Sequence, residues 1–411
     1  MTLTRADLAK LDAEDSLAPM RDKFVLPEGI VYMVGNSLGA LPKTTADRMD
    51  KAVREEWGQN LVTGWNRDDW VSLPYRVGAK IARLIGTKAD EVVATDSTSI
   101  NIFKLMVGAL PLRPGRTKII TEPGNFPTDL YVLQGIRDLL PDRVTLEVVE
   151  RDRLLDAVDA DTAIVLLTQV HYKTGEIFDM TEVTRAVQAK GALMLWDLSH
   201  STGAIPVDLN GANADLAVGC GYKFLNGGPG APAFLYVAER HQNQIQPPIT
   251  AWFGHADPFG FGDEFRPAPG IVRNMTGTPG VLGLTALDAS LDLWADIRIE
   301  DVREKSLKLG ELFIDLMEER CKDYGFTLAS PRGDKRGSQV SFYHDNGYPI
   351  MAALIDGGIM GDFRAPDILR FAITPLYQRY MDIWDAVDRI ASIMDKGTWQ
   401  NPEFAKRSAV T

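Results

Sequence analysis

Cysteine is nearly missing from this chain: Cys220 and Cys321 are the only two in 411 residues. Two thiols cannot make a disulfide framework, and such sparing use fits a reducing compartment, so a cytoplasmic location is expected. Histidine is scarce too. His171, His200, His241, His255 and His344 include no i, i+4 pair and no CxxC neighbour, so no zinc spacing can be written and no metal site is expected. Positive charge is in deficit: 44 Lys and Arg stand against 56 Asp and Glu, a net charge of −12. No basic stripe gathers either, which argues against a nucleic-acid partner. No stretch approaches the ~18 uninterrupted apolar residues of a membrane span. The opening segment, Met1 to Lys23, mixes acids and bases without the apolar core of a signal peptide. The remainder is ordinary globular composition, 45% apolar and 24% charged, in a chain too long for one core.

Apolar runs alternate with helical spacing. Val92–Thr95, Lys118–Thr121, Ala163–Thr168, Ala192–Trp196 and Asp215–Val218 read as strands, with helical patterns between them near residues 75–84, 130 onward and 181–190. That alternation implies a mostly parallel sheet with right-handed crossovers. The segment Asp96-Ser97-Thr98-Ser99 precedes Ile100, Phe103, Val107 and Leu110, read as the buried stripe of a helix with hydroxyls at its N-terminus. Unpaired N–H groups and the helix dipole attract phosphate there, so Thr98 and Ser99 form a candidate phosphate cradle. After Thr278-Pro279-Gly280 the spacing stays helical to about Glu319, followed by strands near residues 339–342 and 368–372 and a last helix near 381–394. The expected division is 1–55 packing with a small domain, 56–284 as a large domain, and 285–411 as the small C-terminal domain.

The chemistry concentrates around Lys223, in Cys220-Gly221-Tyr222-Lys223-Phe224-Leu225-Asn226-Gly227-Gly228-Pro229-Gly230. Upstream, a buried strand delivers Asp197 at its C-terminal end, where α/β sheets place ligands. A buried carboxylate needs a cationic partner. Pyridoxal phosphate has one in its protonated ring nitrogen, while a lysine can hold its aldehyde, and glycines allow the chain to fold tightly beneath a flat ring. Phe126 could lie on such a ring. Asp129 could face the same pocket or cap a helix. Arg370 lies inside an apolar strand and requires a carboxylate partner for its fork.

In order along the chain, Gly35-Asn36-Ser37-Leu38-Gly39, Phe126-Pro127-Thr128-Asp129, Trp196-Asp197-Leu198-Ser199-His200, Gly221-Tyr222-Lys223-Phe224-Leu225-Asn226, Trp252-Phe253-Gly254-His255 and Arg370-Phe371-Ala372-Ile373-Thr374-Pro375-Leu376-Tyr377 resemble the motifs of kynureninases. These are fold-type-I pyridoxal phosphate enzymes of the aminotransferase class V group. The resemblance implies an α/β fold: a large domain with a mostly parallel sheet between helices, plus a smaller α+β domain. It implies hydrolysis of L-kynurenine to anthranilate and L-alanine, in tryptophan degradation, by a homodimer with shared active sites. Lys223 would carry the cofactor and act as base, Asp197 would keep its ring nitrogen protonated, and Tyr222 would help hold the cofactor phosphate and pass a proton to carbon. Thr98, Ser99, Phe126, Asp129, Thr168 and His200 would complete the cofactor site, with Trp252 and Thr278 reaching the phosphate from the neighbouring subunit. Ser37, Trp65 and Phe253 would line the substrate pocket, and Arg370 would take the substrate's α-carboxylate.

Kynureninases that prefer the 3-hydroxy substrate carry histidine and asparagine where this chain has Trp65 and Thr278, so the unsubstituted substrate is expected to be preferred. The rival readings are a class V aminotransferase or cysteine desulfurase on the same fold, or a non-catalytic protein that keeps the pocket. A desulfurase requires a mobile nucleophilic cysteine.

Overall fold

The computed structural model describes residues 4–407. A seven-stranded sheet forms its centre, from β1 (Val92–Ala94), β2 (Lys118–Thr121), β3 (Thr145–Val148), β4 (Thr162–Thr168), β5 (Leu193–Asp197), β6 (Leu216–Gly219) and β7 (Phe234–Val237). The order is β1-β7-β6-β5-β4-β2-β3, parallel except for β7, which runs antiparallel to both neighbours. Every residue of β4 and β5 is buried, as expected of strands covered by helices on both faces. Side chains alternate between two cores. Val165, Leu167, Met194 and Trp196 meet the helices Leu73–Leu84, Met180–Ala189 and Val281–Leu291, whereas Ile164, Leu166, Leu193 and Leu195 meet Thr98–Ala109 and Pro127–Leu139. Trp196 satisfies its buried indole N–H on Thr184 Oγ1 at 3.0 Å.

A third core belongs to a four-stranded antiparallel sheet, Thr327–Leu328, Gln339–Tyr343, Ile368–Ala372 and Asp362–Arg364 in spatial order, backed by the helices Ile299–Arg320, Gly347–Asp356 and Tyr380–Asp395. The expected break at residue 285 falls inside the helix Val281–Leu291, whose Leu284, Leu287 and Leu291 belong to the large-domain core. The cores change over along Ile299–Arg320: Val302 packs with the large domain and Leu309, Leu312 and Phe313 with the small one. The N-terminal segment is a seam between both. Val31–Tyr32 pairs in parallel with Ile359–Met360, and Leu8 and Met33 join the small core, while Leu17, Phe24 and Ala40 join the large one.

One expected face is reversed. In Thr98–Ala109 the buried side is Ile102, Leu105, Met106 and Ala109, with Lys104 among them, whereas Ile100 is 40% exposed and Phe103 and Val107 are half-buried; of the expected stripe only Leu110, just past the helix, is buried. The i, i+3, i+4 spacing of a helix with apolar residues on two faces fits either one, and sequence spacing alone chose the outer one. Among the described residues no helix is long and apolar enough to cross a membrane.

Candidate active site

The C-terminal ends of β4, β5 and β6 converge on a cavity of about 180 Å³. Strand register does this: Thr168 pairs with Asp197, and Asp197 with Val218, so the turn after Gly219 begins beside the carboxylate. That turn carries Tyr222 and Lys223, both at the cavity wall. It is gripped from outside by the loop Gly35–Gly39. Gly39 N–H donates to Tyr222 O at 2.8 Å and Asn226 Nδ2 donates to Ala40 O at 3.0 Å. A Cβ on Gly39 would stand 2.3 Å from Lys223 O, so only glycine permits this approach.

Lys223 is buried, with Nζ 2.9 Å from His200 Nε2 and 5.5 Å from the centre of the Phe126 ring. The amine donates and the imidazole accepts, which places the proton of His200 on Nδ1. Burial, and then the charge of Lys223, hold the imidazole's pKa well below its ordinary value. His200 is therefore neutral.

Asp129 lies in the first turn of Pro127–Leu139, yet its side chain is fully buried and lines the cavity rather than capping the helix. It accepts a hydrogen bond from Thr168 Oγ1 at 3.3 Å, while Thr168 also donates to Asn125 Oδ1. Asp197 accepts the backbone N–H of Ser199 at 2.7 Å. Burial pushes the pKa of both carboxyls up, and for Asp129 the charge of Asp197 adds to it. Two carboxylates buried in one site disfavour each other's charge, so the pair favours holding a proton, above all on Asp129. Across the cavity Ser97, not Thr98 or Ser99, caps the helix Thr98–Ala109 by accepting Ile100 N–H, which leaves the two following hydroxyls at the cavity wall.

These residues fit pyridoxal phosphate. The site has acidic surplus on one side, a helix N-terminus with hydroxyls on another, and a buried amine between them. Two buried polar atoms, Asp129 Oδ1 and His200 Nδ1, have no hydrogen-bond partner. A protonated ring nitrogen would answer the carboxylates, Thr98 and Ser99 would hold the phosphate, Phe126 would form an aromatic wall, and Lys223 would hold the aldehyde.

Not every expected site residue meets this cavity. Ser37 and Arg370 stand in a second cluster. Asp362 faces Arg370 directly across the antiparallel register, and receives its Nε at 2.7 Å and Nη2 at 2.5 Å. Arg370 also donates to Tyr172 O and Ser37 Oγ, and Arg364 donates to the same Asp362 and Ser37. The carboxylate partner that Arg370 required is thus internal, although two arginines around one aspartate leave a positive surplus. Trp65, Trp252 and Phe253 form a separate aromatic cluster instead, with Phe253 buried, Trp65 half-buried and Trp252 exposed. Trp252 lies 4.4 Å from Phe253 and Trp65 6.2 Å from Phe253, ring centre to ring centre. Phe259 and Phe261 extend that cluster while 56% and 76% exposed, and Thr278 is exposed nearby in the chain.

Asp96, Asn125, Asp362 and Arg364 were not singled out by sequence reasoning. Asp96 adjoins the candidate cradle, and Asp362-Phe363-Arg364 has the period-two spacing of a strand, but neither pattern reveals the partner across the fold. Both cysteines are buried, and burial raises their thiols, Cys321 to about 12. Neither can serve as a mobile thiolate.

The fold has solved counterparts. A cysteine desulfurase from Thermococcus onnurineus NA1 superimposes with a TM-score of 0.78 at 20% identity, covering 92% of this chain and 98% of that one. A cystine C–S lyase with glycine covalently linked to its PLP cofactor gives 0.77 at 16% identity, covering 95% and 99%. These likenesses show the fold, the class V, fold-type-I architecture, and the Lys223, Asp197 and Thr98–Ser99 arrangement fits a pyridoxal phosphate cofactor within it.

Sequence relatives narrow the class. Kynureninase from Burkholderia mallei is 47% identical over 99% of this chain and 100% of its own length, and kynureninase from Pseudomonas fluorescens is 46% identical with the same coverage. The family model described as Kynureninase C-terminal domain matches residues 302–390. The chain belongs to the kynureninase family.

Proposed function

We propose that this enzyme hydrolyses L-kynurenine at the Cβ–Cγ bond to anthranilate and L-alanine, in tryptophan degradation, and prefers kynurenine to its 3-hydroxy derivative. The observation that carries the chemistry is a buried Lys223 amine in one cavity with the Asp129–Asp197 pair. When bound, pyridoxal phosphate supplies an electron sink for the charge developed at the substrate's Cα. The protein supplies the protons. With substrate bound, the free Lys223 amine would remove the Cα proton, and its acceptor His200, neutral and fixed, keeps the amine aimed at the cavity. Tyr222, next to the lysine, donates to carbon after the cleavage; burial raises its phenol, so the hydroxyl retains its proton at neutral pH.

Arg370 receives the α-carboxylate, supported by the positive surplus around Asp362. Trp65 and Thr278 favour the unsubstituted ring, because a wall with no dedicated partner gains nothing from an added hydroxyl. The exposed aromatics around Trp252 favour a homodimer in which a second copy covers them and receives Trp252 and Thr278 at its cofactor phosphate. We assign the enzyme to the cytoplasm, in line with its two buried thiols.

The test is anthranilate fluorescence with kynurenine as substrate, beside Lys223→Ala. Wild type is expected to release anthranilate, with a higher kcat/KM for kynurenine than for 3-hydroxykynurenine; the variant is expected to lose kcat by at least about 10³-fold together with its yellow colour. Retained turnover in Lys223→Ala refutes the lysine's role, and equal or reversed kcat/KM values refute the preference.

A further inference from the structure

Lys104 is a lysine with no exposed side-chain surface, set in the apolar face of the helix Thr98–Ala109. Lysine is almost never placed so deeply without a partner. Its Nζ donates to Asp96 Oδ2 at 2.6 Å and to Asn274 O at 2.7 Å. Asp96 is the residue just before the helix cap, lines the cofactor cavity and takes a left-handed backbone conformation, φ +51°. Such a backbone costs energy in a residue that is not glycine, and persists where its surroundings over-determine it. Here they do. Besides Lys104, the Asp96 carboxylate accepts from Thr95 Oγ1 at 3.2 Å and from Thr276 Oγ1 at 2.9 Å, while its carbonyl accepts Ala233 N–H.

Thr276 carries the network outward, since its own carbonyl accepts Phe253 N–H at 3.2 Å. One step from Phe253 is Trp252, and two steps from Thr276 is Thr278. The residue that shapes the start of the phosphate cradle is therefore also the anchor of both segments assigned above to the dimer contact.

We propose that Lys104 and Asp96 are positioning residues that lock the cradle Thr98–Ser99 and the segments around Thr276 and Phe253 into one unit, so that cofactor affinity depends on the Thr276–Asp96 bond. This rests on the cofactor and dimer assignments above. Neither Lys104 nor Thr276 lines the cofactor cavity. The charge-assisted hydrogen bond Thr276–Asp96 is worth roughly a tenfold change in binding.

The experiment titrates cofactor-free protein with pyridoxal phosphate and follows the absorbance of the bound form, for wild type, Thr276→Val, Thr276→Ser and Lys104→Met. Thr276→Val is expected to raise the Kd about tenfold with little change in the cofactor-free Tm, Thr276→Ser to restore the wild-type Kd, and Lys104→Met to raise it further. A Thr276→Val Kd within about twofold of wild type overturns the proposal, as does a Thr276→Ser that fails to rescue. Should Lys104→Met not fold, the two Thr276 variants decide alone. Anthranilate release is scored separately: a wild type that binds the cofactor but releases none defeats the kynurenine assignment and leaves the positioning role to the Kd series.

Discussion

Lys223 Nζ and His200 Nε2, both buried, stand 2.9 Å apart, the amine donating and the imidazole accepting. The direction follows from charge. An imidazolium would have no lone pair to offer and would place a second cation beside the lysine.

His200 therefore stays neutral across physiological pH. Its folded pKa lies well below the unfolded value of about 6.5, so its contribution to stability is complete above that value and is lost as pH falls toward the folded pKa. Histidine NMR should show no titration of this ring between pH 5.5 and 8. A resonance titrating near 6.5 would contradict the tautomer, and His200→Gln should flatten the acid limb of the stability curve.

The Asp129–Asp197 pair titrates in the opposite sense. A carboxyl whose folded pKa is raised stabilises fully below its unfolded pKa and loses that contribution as pH rises through the folded one. Asp129→Asn, close in shape to the protonated acid, should thus give a cofactor-free protein with a higher Tm than wild type at pH 8, the difference shrinking toward pH 5. A lower Tm at pH 8 would count against the shared proton.

Glu122 is another buried carboxyl, at the end of β2, with Oε1 lacking a hydrogen-bond partner. Burial raises its pKa from 4.5 to about 7; the nearest cation, Arg151, is engaged by Glu176 at 3.2 Å and lies over the Phe178 ring. The stability it contributes is present below 4.5 and lost as pH rises through about 7, a penalty of about 3 kcal/mol by pH 8.5. Glu122→Gln should raise Tm at pH 8.5 and change it little at pH 5. Equal shifts at the two pH values would exclude titration as the cause.

Arg370 is held by Asp362 on the side of its Nε and Nη2. Arg370→Lys keeps the charge and loses the fork, so KM for kynurenine should rise about 10- to 100-fold with a smaller loss in kcat. Arg370→Ala should also destabilise by about 3 kcal/mol, since it strips a buried carboxylate of its principal partner. Unchanged KM in Arg370→Lys, measured by anthranilate release, would remove Arg370 from substrate binding.

Much of this protein is local in origin and could be read from order along the chain. Strands ending in Thr168 and Asp197, a Gly-rich turn after Lys223 and a hydroxyl-rich helix start are properties of short windows, because burial on both faces demands continuous apolar runs and tight turns demand glycine. Contacts between distant windows were decided only by tertiary structure. Asp362 lies opposite Arg370 because of antiparallel register, Lys104 reaches Asp96 and Asn274 because its helix buries the other face, and Trp252 and Trp65 join a separate aromatic cluster around Phe253 rather than the Lys223 cavity. Sequence spacing assigns a residue to a strand or helix, but the partner of a buried charge is chosen by how those elements pack, and no single window contains that information.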